Sequence, residues 1–86
     1  MKLKDTFITY TTDSEQIMVP ATSDGFRGMV RSNKTAAFII DCLKEGCSKE
    51  QLIEKMTEKY DASREILIRD VEYVLETLRK IGALDE

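Results

Sequence analysis

The chain has 86 residues, 42% of them hydrophobic and 34% charged, a balance that excludes collagen-like, mucin-like and fully disordered classes and predicts one globular domain over residues 1–86. Folding at this length buries only about 60–65% of the surface of the unfolded chain, so the core is modest and leaves little room for a dedicated catalytic cavity. The formal net charge of −3 divides into +1 over residues 1–34 and −4 over residues 35–86, which argues against partners held through phosphate, whether nucleic acid or an anionic membrane surface.

The first third reads as strands. Phe7 to Thr12 is rich in β-branched and aromatic residues, Asp13-Ser14 is a polar break, and Glu15 to Val19 resumes with Ile17 and Val19 on one face, the pattern of a hairpin. Pro20 lacks an N–H and belongs at a strand end or edge. Ala21 to Gly25 reads as a loop, and Phe26 to Arg31 as a third strand with Phe26, Gly28 and Val30 on one face and Arg27, Met29 and Arg31 on the other. The strands are expected at about 6–12, 15–20 and 26–31.

From Asn33 onward the apolar period changes from 2 to about 3.6 residues. Ser32 or Asn33 can cap a helix over about 34–45, whose Ala36, Ala37, Phe38, Ile39, Ile40 and Leu43 are apolar around more than half its circumference, with Gly46 as its stop. Ser48 and Gln51 form a capping box for a second helix over 49–60 carrying Leu52, Ile53, Met56 and Tyr60. The third helix, over 64–81, has a main stripe of Leu67, Val71, Val74, Leu78 and Ile81, and Gly82 ends it. Ile68 and Leu75 widen that stripe on one flank, Ile66 and Tyr73 on the other, so this helix is more apolar than one buried seam requires. Three strands followed by three helices predict an α+β fold with a winged helix-turn-helix outline.

No catalytic set is present. The chain has no histidine, which removes the commonest general base and metal ligand. Cys42 and Cys47 lack third and fourth ligands for zinc, and Cys42 falls among apolar helix positions, as a small core residue does. Neither phosphate-loop spacing nor an apolar stretch of about 18 residues occurs, and Met1-Lys2-Leu3-Lys4-Asp5 begins no secretion signal. The expectation is a cytoplasmic protein without cofactor or metal, as a monomer or a dimer.

Arg64, Arg69, Arg79 and Lys80 suit a DNA-binding winged helix, yet Glu65, Asp70, Glu72 and Glu76 on the same helix cancel them. A permanent assembly subunit packing through the third helix is a further alternative. The sheet offers another surface: its third strand is an edge able to accept an extended peptide, with peptide side chains entering the groove against the third helix.

The run Met29 to Ile39, containing Asn33-Lys34-Thr35-Ala36, then Leu43 to Ser48, then Asp70-Val71 with Leu75, Leu78 and Ile81-Gly82-Ala83-Leu84, resembles the PqqD-like family. Lys34 stands where that family commonly has proline after the asparagine, which removes a preset first helical φ and leaves the cap intact. The resemblance implies a non-catalytic chaperone that binds the leader of a ribosomally made precursor peptide and presents it to a modifying enzyme, often a radical-SAM protein. It also implies the site. The strand side is Arg27, Gly28, Met29, Val30 and Arg31, the opposite wall is Leu67, Asp70, Val71 and Val74, and either Ile66 and Tyr73 or Ile68 and Leu75 flank the cleft.

Overall fold

The computed structural model describes residues 1–13, 15–20 and 30–86. Within them lie β1 (Lys2–Leu3), β2 (Phe7–Thr11), β3 (Gln16–Pro20), β4 (Val30–Ser32), α1 (Lys34–Glu45), α2 (Lys49–Lys59), α3 (Arg64–Lys80) and β5 (Leu84–Asp85). The fold is α+β, with an antiparallel sheet in the order β2-β3-β4 and three helices. The expected strand residues 26–29 and the loop 21–25 lie outside the described residues.

Local chemistry accounts for the helix boundaries. The Asn33 side chain accepts from Ala36 N at 2.9 Å, which identifies Asn33 rather than Ser32 as the cap of α1. Gly46, at φ 89°, closes that helix in a conformation that suits glycine. At the start of α2, Ser48 Oγ accepts from Gln51 N while Gln51 Oε1 accepts from Ser48 N, so two otherwise unpaired donors are satisfied reciprocally. Ser63 caps α3. That helix ends in a Schellman arrangement: Ala83 N donates to the Leu78 carbonyl and Gly82 N to the Arg79 carbonyl, with Gly82 at φ 72°.

The hairpin pairs Phe7 with Pro20, Thr9 with Met18 and Thr11 with Gln16. Met18 and Gln16 face the core, both 1% exposed. The alternate pairs, Ile8 with Val19 and Tyr10 with Ile17, form the outer face, and Ile8 and Tyr10 are exposed there. Pro20 ends β3, where its missing N–H costs the ladder least.

Two strands escape the sequence pattern. After Gly82 the chain turns into β5, which pairs antiparallel with β1 through Lys2 with Asp85 and Leu3 with Leu84, and Lys4 N donates to the Ala83 carbonyl. Leu3, Ala83 and Leu84 are buried by this pairing beneath α1 and α3.

One apolar cluster joins the layers: Met18 from the sheet, Ile39, Ile40 and Leu43 from α1, Leu52 and Met56 from α2, and Leu67, Val71, Leu75 and Leu78 from α3. Each large side chain buried here contributes about 1.5–3 kcal/mol by leaving water. The wide apolar surface of α1 is only partly consumed. Phe38 stays half-exposed in an edge-to-face contact with Tyr60, ring centroids 6.0 Å apart, with the Lys59 ammonium 4.8 Å from its ring centre. Among the described residues no helix is long and apolar enough to cross a membrane.

Candidate functional site

A cleft of about 380 Å³ opens between β4 and α3, with the first half of α1 as its floor. Three local decisions build it. Asn33 starts α1 directly after β4, so strand and helix diverge from one point. The small Ala36 keeps the floor low where a larger residue would fill the gap, and Ile39 and Ile40 continue it toward the core. Helix α3 supplies the far wall through Val74 and Leu78, with Asp70, Tyr73 and Thr77 also lining it.

The polar groups along this wall are mostly uncommitted. Thr77 Oγ1 donates to the Tyr73 carbonyl at 2.9 Å, so its hydroxyl is used within the helix. Asp70 is partly buried and Arg31 exposed, and neither forms an ion pair with another described residue. Tyr73 is 75% exposed, a large aromatic surface left in water beside an apolar groove.

Strand β4 forms the other wall. It is terminal in the sheet order among the described residues, pairing on its inner edge with β3 through Ser32 with Gln16, Arg31 with Ile17 and Val30 with Met18. Alternate residues of an antiparallel strand direct their N–H and C=O to opposite sides, so part of the β4 backbone points outward, away from β3.

Of the nine residues expected at a peptide site, Val30, Arg31, Asp70 and Val74 line the cleft. Leu67 and Val71 do not: they are 2% and 0% exposed and belong to the core seam of α3. The physical reason is a rotation of the helix, whose cleft side follows the spacing 70, 73, 74, 77, about one residue round from the seam. Arg27, Gly28 and Met29 lie outside the described residues. Of the two expected flanks, Tyr73 lines the cleft while Ile66 is exposed outside its lining, Leu75 is 1% exposed and Ile68 packs on the core. The floor residues Thr35 and Ala36, and Thr77 on the wall, were not anticipated as site residues. The signal available for Ala36 was its small size on an otherwise large-residue face.

No group of three or more potential metal ligands occurs among the described residues. Burial pushes the Cys42 thiol above its ordinary range, an effect that the Lys55 ammonium opposes only in part, and this disfavours the nucleophilic thiolate.

The family model for coenzyme PQQ synthesis protein D, PqqD, matches residues 15–84. The chain belongs to the PqqD family. Two solved structures share its fold. One is TbiB1 in complex with the TbiA(beta) leader peptide, at 20% identity and a TM-score of 0.82, covering 99% of this chain and 95% of the other. The second is a lasso peptide synthetase B1 complexed with the leader peptide, at 23% identity and a TM-score of 0.76, covering 95% and 93%. At these identities the likeness is one of fold. Comparison with curated proteins finds no match. The PqqD-family core over residues 15–84 contains β3, β4, all three helices and the cleft, while β1 and β2 precede it.

Proposed function

We propose that this PqqD-family chain is one non-catalytic peptide-binding domain that holds the leader of a ribosomally made precursor peptide and presents the remainder to a modifying enzyme in the cytoplasm. The observation that carries this reading is the cleft itself, an apolar groove directly beside a strand that is terminal in its sheet among the described residues. The leader adds to β4 as a further strand, its main chain taking hydrogen bonds from the open edge. Alternate side chains then enter the groove against Val74 and Leu78. The fold shared with two proteins solved with leader peptides supports the same reading.

The chain contributes position rather than bond-making. A leader held on a domain docked to its enzyme converts encounter with the core peptide into a nearly intramolecular event, raising its effective concentration toward the millimolar range for a short flexible linkage. Ordering an extended segment offsets part of the contact energy, so affinities of roughly micromolar to submicromolar Kd are expected.

The test is a fluorescence anisotropy titration with a labelled synthetic leader of any precursor peptide encoded in the same gene cluster. The parent chain is expected to bind saturably with weak dependence on salt, unlike a phosphate-bound ligand. Ala36→Phe, which fills the floor of the groove, is expected to weaken binding at least tenfold while circular dichroism shows the helices intact. Parent-like affinity in a folded Ala36→Phe chain would place the leader elsewhere.

A further inference from the structure

Strand pairing imposes a pattern on any peptide that adds to β4. Side chains alternate between the two faces of a sheet, and directly paired residues project to the same face whether the added strand runs parallel or antiparallel. Ser32 is buried and Val30 is packed against the core, so these two positions face inward. Arg31, between them, faces outward on the surface that also carries Ile17, its partner in register, and Tyr10 beyond. A peptide residue opposite Arg31 therefore meets a guanidinium on the outer face, and its two neighbours turn into the groove.

The two faces differ in what they accept. The outer position adjoins Arg31, which has no ion-pair partner among the described residues; Glu15, just before β3, makes none with it. On that face Ile17 is half-buried, Tyr10 lies next across the sheet, and Glu15 stands two residues before Ile17. A pair formed there is open to water, so it selects by sign of charge and adds little affinity. The inner positions adjoin Ala36, Val74 and Leu78, and Asp70 supplies a carboxylate on that side. An inward-facing acid would lose hydration and meet a like charge.

We infer that the peptide class selected here has an acidic residue flanked on both sides by apolar residues, with the acid opposite Arg31 and the apolar pair in the groove. The inference rests on the peptide-cleft reading and extends it from peptides in general to a charge and register rule. Asp70 enforces the register: a slip of one residue exchanges the faces and brings the acid against it. Arg31 and Asp70 thus act together, one attracting the acid outside and the other rejecting it inside.

The test is panning of a random-peptide display library on the intact chain, followed by sequencing of the recovered peptides. The parent is expected to enrich an apolar-acidic-apolar triplet. For a peptide so recovered, replacing the acid by lysine is expected to weaken binding about five- to tenfold, since attraction between paired positions becomes repulsion. Arg31→Glu is expected to convert the central preference to lysine or arginine and keep the flanking apolar pair, and Asp70→Asn to admit acids at the flanking positions. Recovery of groove-dependent peptides with no central charge preference, or with one unchanged by Arg31→Glu, would overturn the charge rule and leave the cleft reading standing. Failure to recover any peptide, or recovery of peptides that bind Ala36→Phe equally well, would remove the cleft reading as well.

Discussion

Gln16 and Asp41 join the sheet to α1: the Gln16 amide nitrogen donates to the Asp41 carboxylate at 2.9 Å, and Lys44 Nζ lies 3.0 Å from the same oxygen. Gln16 is 1% exposed, and its amide oxygen is buried without a hydrogen-bond partner among the described residues. Of its two polar side-chain atoms only the amide nitrogen is thus bonded, in a position directly opposite Ser32 of β4.

That imbalance predicts an asymmetry between the two partners. Gln16→Met removes a buried unpaired acceptor and leaves Asp41 with Lys44 and water, so urea unfolding should show stability unchanged or raised within about 1 kcal/mol. Asp41→Ala instead strands the Gln16 amide nitrogen and should cost about 1 kcal/mol or more. The reverse order of unfolding midpoints would mean that the pair stabilises the fold outright.

Gly82 gives a backbone prediction free of packing effects. Its φ of 72° lies in the left-handed region, and a Cβ added there would meet nothing within 4 Å. Gly82→Ala should therefore destabilise by about 1–2 kcal/mol through conformation alone, and Gly82→Asn by less, because asparagine tolerates that region. Thermal unfolding of the three chains ranks them directly. Equal midpoints for alanine and glycine would show that the α3 terminus rearranges.

These caps were legible in the sequence because they are local. Asn33, Ser48 with Gln51, Gly46 and Gly82 each act within a few residues of themselves, and the helices they bound were expected almost to the residue. The β1–β5 pair was not, since two-residue strands more than 80 positions apart have no period to reveal them. The facing of β3 was also hidden: Ile17 and Val19 invite burial, yet Met18 and the polar Gln16 face the core. In the candidate site, Val30, Arg31, Asp70 and Val74 were legible. Leu67 and Val71 pack in the core instead of lining the cleft, because a helix apolar on both flanks does not itself say which side is packed.

Cys42 predicts a pH dependence of stability. Burial, the largest influence, raises its folded pKa above the ordinary thiol value near 9.0. The folded chain then binds more protons than the unfolded chain between the two values, so this contribution is fully present below the unfolded pKa and lost as pH rises through the folded one. Urea midpoints should fall between pH 8 and 10 more for the parent than for Cys42→Ala, after allowance for the lower stability of the variant. An identical slope would show that the thiol is not shielded.

Tyr73 separates binding from folding. As it is 75% exposed, Tyr73→Ala should leave stability within about 0.5 kcal/mol. Its ring nevertheless lines the cleft, and its removal should weaken leader binding several-fold. A variant that binds normally would restrict the functional wall of α3 to Val74 and Leu78.

The central claim is that a peptide lies between β4 and α3. Amide shifts of isotope-labelled chain during titration with the synthetic leader test it most directly. Perturbations concentrated on residues 30–36 and 70–78 are the predicted result. Saturable binding that leaves those amides unmoved and shifts β2 or α2 instead would contradict it.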